Sequence, residues 1–195
     1  MTIRQRVLKV IYPLLTVIGK ATAKGKIKSN KQTVAPKIPL YSIPLQLNNG
    51  KVLPLETLKG KKILIVNTAS NCGFTAQYAE LQKLYLHARG DLEIIGFPAN
   101  DFKEQEEGSD EEIAKFCLVN FGVSFPLAKK SSVVKSTQQH PVFSWLSDKE
   151  KNGWNDQQPE WNFSKYLLNE KGILTHYFPP SVSPLSTEVT TAINQ

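Results

Sequence analysis

Two short apolar runs, separated by a stretch with a different rhythm, restrict this chain more than any other feature. "KKILIV" ends at Val66 and "DLEIIGFPA" spans residues 91–99. Each places apolar residues at consecutive rather than alternate positions, the pattern of a strand buried on both faces. Between them Leu81, Leu84, Tyr85 and Ala88 recur at helical spacing. The order strand, helix, strand implies a crossover and parallel pairing. An α/β fold is therefore expected, with a central mixed sheet and helices on both faces.

The flanking segments extend that frame. "LYSIPLQLNNGKVLPLETL" holds Asn49-Gly50 between two extended runs, which predicts an added N-terminal β-hairpin around a type I′ turn. Ser109 and Glu112 stand at capping-box spacing and open a helix predicted to run to about Val119. "VSFPLAKK" reads as a short strand ending near Pro126, and "HPVFSWLSDKE" reads as one helix. "WNFSKYLLNEKGILTHYF" reads as a hairpin around "NEKG", and Ser186 to Asn194 as a last short helix. The 195 residues suffice for one domain with a sizeable core. Its predicted extent is 38–195.

Residues 1–37 form a separate basic segment. Up to Ile38 the chain carries nine Lys or Arg and no Asp or Glu, leaving 15 basic and 17 acidic residues for the remainder. The net charge of +7 is therefore a property of this segment and no argument for nucleic-acid binding. "VIYPLLTVIG" is ten uncharged residues, too few to cross a bilayer, which takes about 20. Its length, its basic flanks and Ala21-Thr22-Ala23 resemble a secretory signal, although Lys20 before the small residues counts against cleavage. The other readings are an interfacial anchor on anionic lipid, contacting a membrane surface through residues 1–30, and a cytoplasmic basic tail. Residues 24–38 read as a linker.

The chain has two cysteines, Cys72 and Cys117, and no CxxC pair or His/Cys cluster at metal-ligand spacing. They are compatible with a structural bridge, two core thiols or a redox pair. Cys72 sits in "NTASNCGFTAQY", where a buried strand gives way to a helix. The unpaired N–H groups of a helix start push a nearby thiol toward thiolate, the nucleophilic form. An inert buried cysteine is the competing reading. Cys117 shares a helical face with Ile113 and Phe116, as a core thiol would.

"LIVNTASNCGFTAQYAELQKLY" resembles the signature of the glutathione peroxidase family, centred on a peroxidatic Cys or selenocysteine before Gly-Phe-Thr. "GFPANDFKEQEEGSDEEI" resembles the family's second motif, "WNFSKYLLNEKG" its Trp-Asn-Phe segment and "SPLS" its C-terminal end. The resemblance spans about 38–190 and implies a thioredoxin-like fold. It implies a catalytic set of Cys72, the nucleophile, with Gln105, Trp161 and Asn162 as polar neighbours. Amide and indole N–H groups are uncharged donors, able to favour thiolate and to stabilise oxygen charge as an O–O bond breaks. In isolation each of the three reads as structural. The chain departs from the family pattern at Cys72, where no selenium is available, at Ala99, where relatives carry a third Cys, and at Asp101 and Glu107. Two carboxylates near Gln105 would raise the pKa of Cys72 if they pointed inward.

The resemblance further implies that Cys117 is a resolving cysteine, able to reach Cys72 if its helix unwinds locally. The implied cycle is that of a thiol peroxidase acting in the response to oxidative stress. Cys72 reduces hydrogen peroxide or an organic hydroperoxide and becomes a sulfenic acid, and Cys117 closes a disulfide. A thioredoxin-type protein then reopens it, glutathione being the other candidate co-substrate. No metal or organic cofactor is implied. The short segment between His140 and Trp161 lacks the insertion of tetrameric relatives, which implies a monomer. Three rivals remain: a thiol–disulfide oxidoreductase, a redox sensor signalling through a Cys72–Cys117 disulfide, and a catalytically inert binding module. Export to the cell envelope or membrane tethering is the expected location, with the cytoplasm as the alternative.

Overall fold

The computed structural model describes Val7, residues 10–12, 27–88 and 90–195. The cleavage-site reading at 21–23 and most of the apolar stretch before it lie outside the described residues. The central sheet has five strands: β1 (Lys28–Ser29), β4 (Lys62–Thr68), β5 (Leu92–Pro98), β6 (Lys165–Leu168) and β7 (Leu174–Phe178), in the order β1-β7-β6-β4-β5. The two apolar runs are β4 and β5, paired in parallel from Lys62–Leu92 to Thr68–Pro98. All the other pairings in this sheet are antiparallel, so the sheet is mixed.

Alternation along β4 divides the core. Leu64 and Val66 face a cluster with α1 (Gln77–His87), α2 (Asp110–Phe121) and α5 (Thr187–Asn194). Ile63 and Ile65 face a second cluster with α3 (Pro141–Leu146), the turns at Leu40–Ser42 and Leu55–Leu58, and the separate hairpin of β2 (Leu45–Gln46) and β3 (Val52–Leu53). Burial on both faces explains why the runs are continuous in sequence. The remaining helix, α4 (Lys149–Asn152), follows α3 after two residues.

Local signals determine several boundaries. Ser109 accepts from the Glu112 N–H while the Glu112 carboxylate accepts from the Ser109 N–H, so α2 starts at the expected capping box. It ends two residues later than expected, at Gly122, whose φ of 64° stops the helix. The segment read as one helix after His140 splits into α3 and α4 because Asp148 is extended and caps Glu150. The hairpin at Asn49-Gly50 forms, but not on a type I′ turn. Only Gly50 takes a positive φ, 80°, and Leu47 bonds Lys51 across a three-residue loop, the geometry of a tight turn followed by a bulge. "VSFPLAKK" makes isolated bridges, Gly96–Leu127 and Leu47–Ala128, rather than a strand. Pro126 supplies a carbonyl to Gly96 but has no N–H to continue a ladder. Gly96 permits this close approach, since a Cβ there would stand 2.7 Å from Leu127 Cδ2.

The largest difference lies at the N-terminus. Part of the stretch read as a linker packs on the domain as a strap. β1 closes the β7 edge, with Lys28 opposite Tyr177 and Ser29 opposite His176. Asn30 donates through Nδ2 to the carbonyls of Val34 and Leu174 and accepts from the Val34 N–H. Further on, the Ile38 carbonyl accepts from the Trp145 indole at 2.6 Å. Composition misled here because two residues on a sheet edge need backbone groups rather than an apolar pattern. Among the described residues, no helix is long and apolar enough to cross a membrane.

Asn30→Ala removes the strap's central clamp, its three hydrogen bonds to Val34 and Leu174, and leaves the Leu174 carbonyl with the Trp154 indole as its remaining side-chain donor. A stability loss of about 1–3 kcal/mol is expected, measurable as a lower urea midpoint at unchanged slope. An unchanged midpoint would show that the strap contributes nothing to the fold.

Candidate active site

The turn after β4 holds Cys72. Thr75 pins it, accepting from the Cys72 N–H at 3.0 Å and donating to the Ala69 carbonyl at 2.9 Å. This wraps the chain so that the Phe74 N–H donates to Cys72 Sγ at 3.4 Å. The sequence placed Cys72 at a helix start, but α1 begins five residues later, at Gln77. A helix dipole fades within one turn. Its place is taken by the Phe74 and Gly73 N–H groups, an anion-binding arrangement of successive backbone amides.

Trp161 and Asn162 arrive from the segment before β6. Asn67, fully buried at the end of β4, fixes them there. Its Nδ2 donates to the Trp161 carbonyl at 3.1 Å, its Oδ1 accepts from the Ser164 N–H at 3.0 Å, and its carbonyl accepts from the Phe163 N–H. Phe163 is held at a φ of 68°, a left-handed conformation that costs about 1–2 kcal/mol outside glycine. The Trp161 ring lies between Phe102, at 5.4 Å between centroids, and the Lys103 ammonium, 5.8 Å from its centre. The Trp161 and Asn162 side chains act on the Cys72 sulfur as donors that lower its pKa.

Gln105 joins through Asn162, whose Nδ2 donates to Gln105 Oε1 at 3.0 Å. The Gln105 carbonyl also accepts from the Asn71 N–H at 3.0 Å, tying its loop to the cysteine turn. Lys103 and Glu104, just before it, adopt φ values of 53° and 51°, so this loop too is strained. The structure thus brings Cys72, Trp161 and Asn162 to one site and links Gln105 to it through Asn162. Cys117 lies in the same apolar cluster as Cys72, and both thiols are free and buried.

Electrostatically the site is a contest. Burial raises the Cys72 pKa, and hydrogen bonds from Phe74, Trp161, Asn162 and Gly73 pull it back without fully compensating. The expected net push toward thiolate is therefore reversed at rest: Cys72 is 1% exposed, and desolvation outweighs its donors. Neither Asp101 nor Glu107 acts on the sulfur. Asp101 accepts from Ser132 Oγ and the Val133 N–H, and Glu107 is exposed. Burial pushes Cys117 up to about 12, with the Glu106 charge adding to it and the Tyr78 hydroxyl opposing it.

Reading the sequence missed Asn67, Thr75 and Tyr12. Asn67 carried a signal, a buried amide closing an apolar run. Tyr12 carried none: it packs edge-on against Phe74 at 6.4 Å and donates to Glu80 Oε2 at 2.9 Å, so the N-terminal segment touches the cysteine turn. A cavity of about 580 Å³ lined by Lys62, His87, Asp91 and Glu170 includes no site residue. A peroxide is small and needs no such volume. No group of three His, Cys, Asp or Glu among the described residues is placed to hold a metal.

Residues 40–147 match the family model described as glutathione peroxidase. The chain is 44% identical over 153 residues to a glutathione peroxidase homolog, BsaA, of Staphylococcus epidermidis, covering 77% of this chain and 96% of that one. It is 43% identical over 142 residues to the glutathione peroxidase-like peroxiredoxin HYR1 of Saccharomyces cerevisiae, covering 72% and 86%. Among solved structures, apo Trgpx superposes with a TM-score of 0.61 at 29% identity, covering 82% and 97%. Trypanosoma cruzi GPX1 gives 0.58 at 26%, covering 79% and 92%.

Trp161→Phe keeps the ring and removes the N–H that lowers the Cys72 pKa. The pH profile of Cys72 oxidation by hydrogen peroxide should move to higher pH. A hydrogen bond to a charged group contributes about 1.5–3 kcal/mol, so the rate at pH 7 should fall about 10- to 100-fold. An acid shift, or no change, would contradict the assigned direction.

Proposed function

The chain belongs to the glutathione peroxidase family, and from that premise we propose that it reduces peroxides through Cys72, is resolved by Cys117 and is recycled by a thioredoxin-type protein. It is a thiol peroxidase on a thioredoxin-like fold. The observation that carries the residue-level reading is the convergence of the Phe74, Trp161 and Asn162 donors on one sulfur. Thiol reductants serve this family as co-substrates, without a prosthetic group.

The chemistry follows from that geometry. Cys72 reacts as thiolate, attacking the terminal peroxide oxygen. Negative charge moves from sulfur to the departing oxygen. Trp161, Asn162 and the amide of Gln105 are fixed donors beside that path, and pre-oriented donors stabilise developing charge at little reorganisation cost. The products are water or an alcohol and a Cys72 sulfenic acid. Cys117 then displaces the sulfenic hydroxyl to give a disulfide, which a dithiol protein reduces by exchange. The raised pKa of Cys72 opposes this step at neutral pH, so the donors that lower it are what make the thiolate available.

Cys117 faces the core at 0% exposure, so the disulfide needs α2 to loosen. Leu118 and Val119 beside it are 62% and 72% exposed, so one side of that turn is already outside the core. The enzyme works as a monomer on hydrogen peroxide and organic hydroperoxides in the response to oxidative stress. Residues 1–30 take it out of the cytoplasm or hold it at a membrane surface. Their excess of basic charge and the exposed Val7, Val10 and Ile11 beside the anchored Tyr12 support that role.

Steady-state peroxide consumption with thioredoxin and with glutathione tests the cycle. Cys72→Ser should abolish turnover with either, since a serine hydroxyl is barely ionised at neutral pH. Cys117→Ser should keep one stoichiometric reaction with peroxide, lose thioredoxin-supported turnover and accumulate Cys72 sulfinic acid. Undiminished thioredoxin-dependent turnover in Cys117→Ser would sink the two-cysteine cycle.

A further inference from the structure

Tyr12 is a buried side chain among neighbours that face solvent. The helical residues Val7, Val10 and Ile11 are 50%, 80% and 40% exposed, while Tyr12 is 6% exposed. It lies outside residues 40–147, so the family motif does not account for it. Two contacts seat it against the cysteine turn. Its ring meets Phe74 edge-on, with the ring planes at 88° and the centroids 6.4 Å apart. Its hydroxyl donates to Glu80 Oε2 at 2.9 Å, and Ser183 Oγ donates to the same oxygen at 2.7 Å. Glu80 stands in the first turn of α1, so its carboxylate fixes the phenol to the element that follows the cysteine turn.

Phe74 carries that contact to the sulfur. Its N–H donates to Cys72 Sγ at 3.4 Å. Burial raises the Cys72 pKa, and this N–H is the largest of the donors that oppose the rise. Where the N–H points depends on how the whole residue is held. The Phe74 carbonyl accepts from the Gln77 N–H at 2.9 Å, and the Gln77 side chain accepts from the buried Lys165 ammonium. The Phe74 ring is half-buried, and Tyr12 meets it edge-on. We propose that Tyr12 is a positioning residue of the peroxide-reducing site: seated on Glu80, it braces the Phe74 ring and keeps the Phe74 N–H aimed at the Cys72 sulfur. The inference rests on the reading of Cys72 as the thiol that attacks peroxide. It makes the N-terminal segment a working part of the site as well as an address.

An N–H that donates to sulfur favours thiolate over thiol. Loosening Phe74 therefore raises the Cys72 pKa further and slows attack at any pH below it. The size of the effect is bounded by the worth of the brace. An edge-on aromatic pair changes an equilibrium about 2- to 10-fold, so the pH profile should move up by at most about one pH unit. Tyr12 does not itself titrate in the working range, because burial and the Glu80 charge push its hydroxyl upward. Tyr78 on α1 and Cys117 on α2, in the same cluster as Cys72, are likewise kept neutral by burial. Glu80 on α1, Lys165 on β6, Lys103 over the Trp161 ring and Glu106, raised by burial to about 7, are common to wild type and variants. The difference between two profiles therefore isolates the brace.

The test is stopped-flow tryptophan fluorescence of the full chain mixed with hydrogen peroxide across a range of pH. The first phase, proportional to peroxide concentration, reports Cys72 oxidation, checked by thiol alkylation. Tyr12→Leu fills the space without a ring edge or a hydroxyl. It should move the profile to higher pH and slow this phase at pH 7 by about 2- to 10-fold. A double-mutant cycle shows whether the effect passes through Phe74, which a merely structural role would not require. In a Phe74→Leu background, adding Tyr12→Leu should change the rate by less than about 2-fold. A profile that Tyr12→Leu leaves in place, or a shift as large in the Phe74→Leu background as in the wild type, overturns the proposal. Tyr12→Phe keeps the ring but loses its anchor on Glu80, and should shift the profile the same way by less. If Tyr12→Leu does not fold, an unmoved Tyr12→Phe profile overturns the proposal. A wild type with no peroxide-dependent phase and Cys72 still open to alkylation removes the peroxidase reading itself, and the proposal with it.

Discussion

The site depends on one buried amide. Asn67 ends the central strand β4 and uses its side chain and backbone to hold the Trp161–Ser164 segment. Without that clamp the turn carrying Cys72 and the segment carrying Trp161 and Asn162 would be two loops on separate strands. With it, they become one rigid object, and the left-handed backbone at Phe163 is tolerated because packing on both sides over-determines it. A buried amide left half-satisfied costs about 1–3 kcal/mol, so Asn67 also penalises any arrangement in which the segment slips.

A second buried polar group braces the same region. Lys165, the residue after Ser164, is fully buried and donates to Gln77 at the start of α1 and to the carbonyls of Pro180 and Val182. Burial drives its pKa well down. Apolar residues would fill that space at less electrostatic cost, but they would not join β6, α1 and the loop after β7 at one point. Rigidity of this kind lets neutral donors work on a sulfur whose burial opposes its ionisation. The cost of desolvation is borne by the resting thiol, and the fixed dipoles act as charge moves onto oxygen.

Much of this was legible in the sequence because its causes are local or periodic. β4 and β5 announced themselves as continuous apolar runs, α2 by Ser109 and Glu112, and the β6–β7 hairpin by its turn residues. Cys72, Gln105, Trp161 and Asn162 came from motif resemblance; no periodicity would have joined residues from three loops. What stayed hidden depends on distant contacts. β1 is two residues whose only signal is an edge to bind. The Tyr12–Glu80 bond spans 68 positions. The net pKa of Cys72 reflects burial against donors from two segments, a balance that "NCGFT" alone does not contain. Asp101 looked like a threat to the thiolate and is instead a ligand for the Ser132–Val133 backbone turn.

The central claim is that two buried cysteines, one beside fixed donors and one on a helix that loosens, form a single redox unit. Peptide mapping by mass spectrometry after one equivalent of hydrogen peroxide tests it most directly, with free thiols blocked by alkylation. The account predicts a Cys72–Cys117 disulfide within one chain, absent before treatment. A Cys72 sulfenic acid with Cys117 still a free thiol, alkylated once the protein is denatured, would contradict it.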